Sequence, residues 1–117
     1  MNLLDSETRK SKIRDAVSKV LSADIGAFCN VSEKKTGKIM IVIENSSKPG
    51  KAVVSVQGEL TDEQIAKAKE IVESLGGDSL QLIMELPKEQ IPEATDKILS
   101  ELLGTEEFDI EIELVVE

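Results

Sequence analysis

Apolar residues recur at intervals of three and four over residues 6–23. Ile13, Ala16, Val17, Val20 and Leu21 fall on one stripe, the pattern of an amphipathic helix packed by one side. Asp5 or Ser6 suits its N-cap, Glu7 stands in the favourable first turn, and Gly26 is placed to stop it. Residues 27–31 read as a short strand or a loop, and residues 33–37 as a turn. Residues 38–44 form a strand in which Ile39, Met40, Ile41, Val42 and Ile43 are apolar on both faces, as a central strand would be. Pro49-Gly50 then fits a type II turn, with φ fixed at the first position and positive φ available at the second. A second strand over residues 52–57 is expected to run antiparallel to the first.

Thr61 and Gln64 have the spacing of a capping box and open a second helix. Its stripe is Ile65, Ala68, Ile71, Val72 and Leu75, and Gly76-Gly77 supplies a left-handed stop. Residues 80–86 alternate Leu80, Leu82, Met84 and Leu86 against Gln81, Ile83 and Glu85, which predicts a strand ended by Pro87. Pro92 opens a third helix with the stripe Ile91, Ala94, Ile98, Leu99 and Leu102, and Gly104 closes it. The last element alternates Phe108, Ile110, Ile112 and Leu114 against Glu107, Asp109, Glu111 and Glu113.

The order is therefore α-β-β-α-β-α-β, with room for one more short strand near Cys29. One hairpin and two crossovers predict a mixed four- or five-stranded sheet. The fold class expected is an α/β two-layer sandwich of the α+β type, with helices mainly on one face. No repeat, linker or low-complexity tract divides the sequence, so residues 1–117 are expected to form a single domain.

The side-chain inventory narrows the chemistry. The 117 residues include no His, Trp or Tyr, one Cys and two Phe. A Ser-His-Asp or Cys-His nucleophile pair cannot be assembled, nor a His-ligated zinc site. A lone Cys29 excludes an internal disulfide and a CxxC motif. Acid–base chemistry would fall to carboxylates and Lys, and no cofactor is expected. A formal charge of −9 argues against a nucleic-acid partner, and only Phe28 and Phe108 are available for base stacking. No membrane partner is expected either. The longest apolar run, residues 39–43, is far short of a span of about 20 residues. Residues 1–4 do not read as a signal peptide, and with the unpaired Cys29 they point to a cytoplasmic location.

Charge is unevenly distributed. Residues 1–58 carry 10 basic and 6 acidic side chains, a net of +4, whereas residues 59–117 carry 4 basic and 17 acidic, a net of −13. Ordinary solvation accounts for such a surface, and an acidic face that docks a basic protein is the sharper reading. Glu107, Asp109, Glu111 and Glu113 are the candidate metal ligands, since hard cations favour carboxylate oxygens. The competing reading is an edge strand whose charges discourage aggregation. Ser46, Ser47, Lys48 and Lys51, with Gly50, form a candidate anion cup in the hairpin turn, although the P-loop pattern is lacking. Arg9, Lys10, Lys12, Arg14 and Lys19 give the first helix a basic face, expected to lie in solvent. Cys29 reads as a small buried hydrophobe. Met40, Val42 and Ile83 point away from the main core, a candidate interface.

These features favour a small acidic, non-enzymatic interaction module that binds a basic protein surface or associates with itself. The alternative is a small anion- or divalent-cation-binding domain using the 46–51 turn or the 107–113 carboxylates.

Overall fold

The computed structural model describes residues 5–23 and 26–116. The expectation about a leader concerns residues 1–4, which lie outside the described residues. In chain order the elements are α1 (Ser6–Ser22), β1 (Phe28–Glu33), β2 (Ile39–Asn45), β3 (Lys51–Gly58), α2 (Asp62–Ser74), β4 (Ile83–Pro87), α3 (Ile91–Leu103) and β5 (Ile110–Val115).

Local chemistry sets the helix ends. The Asp5 carboxylate accepts the Thr8 N–H at 2.8 Å and caps α1. In α2 the Thr61 hydroxyl accepts the Gln64 N–H at 3.1 Å, and the Gln64 side-chain oxygen accepts the Thr61 N–H at 2.9 Å. The same Gln64 amide donates to the Leu102 carbonyl at 3.1 Å, so the start of α2 is tied to the end of α3. At the other end of α2, the Gly76 N–H donates to Glu73 and the Gly77 N–H to Val72, a Schellman closure. Gly77 also has no room for a side chain, because a Cβ there would stand 2.6 Å from the Ile83 carbonyl oxygen.

The strands form one sheet in the order β4-β3-β2-β1-β5. β1 is the additional strand near Cys29, which makes the order α-β-β-β-α-β-α-β. Each of the four strand pairings is antiparallel, so the sheet is not the mixed one expected. A parallel crossover would bring the chain back to the start of β3. Instead, residues 75–82 deliver it to the end of β3, where Ile83 pairs with Ser55 and the Leu82 carbonyl accepts the Val56 N–H at 3.0 Å. β4 then runs back along β3. α3 carries the chain from one edge of the sheet to the other, joining β4 to β5.

β4 is also shorter than the alternation of residues 80–86 implies. The Asp78 carboxylate accepts the N–H groups of Leu80 at 2.9 Å and Gln81 at 3.3 Å, which folds this stretch into a turn. Leu82 adopts φ 56° within it, and Leu80 is left 86% exposed. The β2–β3 turn behaves as predicted, with Gly50 at φ 75° and the Lys51 N–H donating to the Lys48 carbonyl at 3.3 Å.

The three helices lie in one layer, α3 beside both α1 and α2. They cover one face of the sheet, where Cys29, Val31, Ile41, Ile43, Val54 and Met84 join the helix stripes in a single core. Each such Val or Ile contributes about 2 kcal/mol by burial.

Arg9 departs from the expected basic face of α1. It is fully buried, while Lys12, Arg14 and Lys19 are exposed. The Arg9 Nε donates to Asp96 Oδ1 at 2.7 Å and Nη1 donates to the Phe108 carbonyl at 3.0 Å. The guanidinium carbon sits 3.9 Å from the centroid of the Phe108 ring, a cation–π contact. Ser6 Oγ donates to the second Asp96 oxygen at 2.8 Å. One side chain thus joins α1, α3 and the segment leading into β5.

Removing one partner of a buried ion pair is more damaging than replacing both with apolar groups. Asp96→Ala is expected to destabilise the fold by about 3 kcal/mol. Arg9→Met/Asp96→Leu should recover most of that loss. Urea denaturation of the two variants and the parent chain checks the order.

Candidate interaction surface

Strand pleating sends alternate side chains to the sheet's second face, where no helix of the described residues packs. In β1, β3 and β4 every second residue is buried, and those between are half-buried or exposed. The pairings arrange the open face in rows across the strands. Ile83, Ser55, Val42, Asn30 and Glu113 make one row, and Glu85, Val53, Glu44, Phe28 and Val115 the next. On the other side of the first, Gln57, Met40, Ser32 and Glu111 make a third.

Met40, Val42 and Ile83 are therefore brought together on this face, on adjacent rows. Met40 and Ile83 are half-buried, and Val42 at the centre is 7% exposed. Phe28, Val53 and Val115 extend the apolar band and are half-buried as well. Sequence reasoning missed these three. The signal for Phe28 was the alternation of β1, legible once residues 28–33 are taken as a strand; Val53 and Val115 lie in locally apolar stretches that name no face.

Acidic residues lie within this band, at Glu44, and on its β5 side, at Glu111 and Glu113. Glu44, Glu111 and Glu113 are exposed, and among the described residues their carboxylates make no hydrogen bond or ion pair. Glu107 and Asp109 precede β5 and do not continue its row. The Asp109 carboxylate accepts the Ile110 N–H at 2.8 Å and faces Lys34 Nζ at 3.7 Å. Among the described residues no group of three or more His, Cys, Asp or Glu is placed to hold a metal ion.

The turn read as an anion cup already holds an anion from the chain itself. Ser46 Oγ donates to Glu85 Oε2 and Lys48 Nζ stands 3.3 Å from Oε1. The Ser46 hydroxyl bond, then Lys48 and the charge of Lys51, hold the Glu85 carboxyl below its ordinary pKa. Ser46 Oγ in turn accepts the Lys48 N–H at 3.1 Å. Ser47 takes no part in these contacts. Ser46, Lys48 and Lys51 thus pin β4 to the β2–β3 turn.

Glu33 plays a similar part in the β1–β2 turn. Its buried carboxylate accepts the Thr36 hydroxyl at 2.6 Å and the N–H groups of Thr36 and Lys35 at 2.7 and 3.0 Å. Burial opposes its ionisation, but these bonds and the Lys35 charge outweigh burial and lower its pKa. Beside this turn lies a cleft of about 520 Å³ with Phe108 and Leu103 in its wall. A second groove, about 380 Å³, runs between α1 and β5, with Ile110, Ile112 and Leu114 along one wall and Lys12, Asp15 and Lys19 along the other. Cys29 is buried and unpaired, and burial pushes its thiol up to about 11, the behaviour of an inert core thiol. No helix among the described residues is long and apolar enough to cross a membrane.

Because the Glu33 carboxyl titrates below its unfolded value, its contribution to stability is present above the unfolded pKa. It is lost as pH falls through the folded value. Glu33→Gln should therefore lower stability most near neutral pH, and its gap from the parent chain should narrow as pH falls through and below the ordinary Glu range. Chemical denaturation across that range reads the gap. A labelling reagent such as iodoacetamide should leave Cys29 unmodified in the folded chain near neutral pH and modify it once denaturant is added.

Comparison of the chain with protein-family models, with curated proteins and with solved structures gave no match.

Proposed function

We propose that this chain is a non-enzymatic interaction module that docks a basic protein surface through the open face of its sheet. The observation that carries the proposal is the pairing of two features on that face. Phe28, Met40, Val42, Val53, Ile83 and Val115 form an apolar band between helix-free rows. The exposed carboxylates of Glu44, within the band, and of Glu111 and Glu113, at its β5 side, form no ion pair among the described residues. A partner with apolar residues framed by Lys or Arg would satisfy both, the apolar contact supplying affinity and the charges steering encounter. Two copies of the chain packed face to face would set carboxylates against carboxylates, which disfavours self-association by this route. The net charge of −9 favours the same class of partner. The reducing cytoplasm belongs to the same proposal, and the unpaired thiol of Cys29 is in keeping with it.

The anion-binding alternative is weakened by the capture of Ser46 and Lys48 by Glu85.

Three synthetic peptides with the same apolar residues and either Lys, neutral or Glu residues between them test the proposal by fluorescence anisotropy. The Lys peptide should bind most tightly and weaken as salt is added, since exposed charges are screened. Glu111→Lys/Glu113→Lys should weaken it about tenfold, roughly 1.4 kcal/mol. Glu70→Lys/Glu73→Lys, exposed on α2, makes the same change in net charge and should leave binding intact. Equal binding of all three peptides, or equal loss in both variants, would contradict docking on this face.

A further inference from the structure

The sheet ends in two edges, and they are finished differently. At β4 the edge is blocked at both ends, leaving only Glu85 with outward main-chain groups. Asp78 and Ile83 exchange a pair of main-chain hydrogen bonds at 2.7 and 3.2 Å, and the strand ends in Pro87, which has no N–H to offer. Among the described residues β5 has no such block. Apart from the Ile110 N–H, held by the Asp109 carboxylate, no hydrogen bond among the described residues reaches β5 from any element but β1. Along these six residues, which include no Pro, alternate positions turn their main-chain groups away from β1, and Ile112 and Leu114 are left with theirs facing outward.

The side chains beside that edge differ on its two faces. On the open face stand Glu111 and Glu113, exposed and without partners among the described residues. On the helix face the α1–β5 groove presents half-buried Ile112 and Leu114 below Lys12 and Lys19. An added strand would direct alternate residues to these two faces. The groove offers apolar contact with Ile112 and Leu114 beneath a mixed wall of Lys12, Asp15 and Lys19, whereas the open face, with Glu111 and Glu113, favours Lys or Arg.

Resting on the proposed docking of a basic partner, we propose that the partner enters as an extended strand added to β5, with basic and apolar residues in alternation. Strand addition gives affinity through main-chain hydrogen bonds and specificity through alternate side chains. A second copy does not meet these terms. If β5 paired with its own copy in a twofold register centred on Ile112, Glu111 would face Glu113 twice, and directly opposed like charges destabilise a strand pair. The same two carboxylates that select a basic strand therefore keep the edge from pairing with itself.

The test uses a synthetic peptide of about eight residues, alternating Val and Lys, and a version methylated at every main-chain nitrogen. Methylation keeps the side chains and charges and removes every main-chain donor. The unmodified peptide should bind the full chain at least about tenfold more tightly than the methylated one. It should also slow amide hydrogen exchange within residues 110–115 and not within residues 83–87. Equal binding of the two peptides, lost alike in Glu111→Lys/Glu113→Lys, would overturn strand addition while leaving docking on the open face standing. Protection of β4 instead of β5 would overturn it as well. Failure of both peptides to bind would remove both proposals.

Discussion

A sheet with helices on one side only must settle its other side by side-chain choice. Small water-soluble folds of this kind generally place polar residues there. This chain does so only in part. Ser32, Ser55, Asn30 and Gln57 are polar, but Phe28, Met40, Val42, Val53, Ile83 and Val115 are not. The helices are committed elsewhere, since α3 packs against both of its neighbours and all three close over the opposite face. This one-sided layering leaves uncovered an apolar band with exposed Glu44 within it and exposed Glu111 and Glu113 on its β5 side.

The buried Arg9 links that layering to the edge of the sheet. Its hydrogen bonds to Asp96 and to the Phe108 carbonyl fix α1 and α3 relative to the residues that lead into β5. Phe108 lies two positions before Ile110, so the guanidinium that stacks on its ring also sets where β5 begins. The groove between α1 and β5 is bounded by the same two elements. Glu33 and Glu85 act at the other turns as internal anions, each gathering hydroxyl and N–H donors or a Lys that would otherwise face solvent. Asp96, Glu33 and Glu85 are thus engaged inside the fold, whereas Glu44, Glu111 and Glu113 are left exposed on the open face.

How much of this was legible in the sequence depended on the range of the interaction. Helix stripes, the Thr61–Gln64 box and the Pro49-Gly50 turn are decided within a few residues, and the structure has them where the pattern places them. The alternation of β2 and β4 correctly put Met40, Val42 and Ile83 on the face away from the helices. The antiparallel course of residues 52–57 was legible from the Pro49-Gly50 turn, but the direction of β4 was not, because it turns on where residues 75–82 return the chain. Leu80 looked like a strand residue by alternation, but the Asp78 carboxylate captured its amide first. Nor can a short-range reading show that Glu85 would fill the hydroxyl and ammonium cluster of the 46–51 turn from 39 residues away. Arg9 did leave a signal. It stands four residues before Ile13, in line with the buried stripe, a position where a charge implies a partner brought from elsewhere in the fold.

The open face rests most directly on the contrast between two methionines. Met40 lies on that face, half-buried, and Met84 lies on the helix side, 2% exposed. Oxidation of the free chain by dilute hydrogen peroxide, followed residue by residue by mass spectrometry, compares them without any ligand. Met40 should convert to the sulfoxide well ahead of Met84. Equal protection of the two at low protein concentration would mean that the second face is covered, and the one-sided architecture would be wrong.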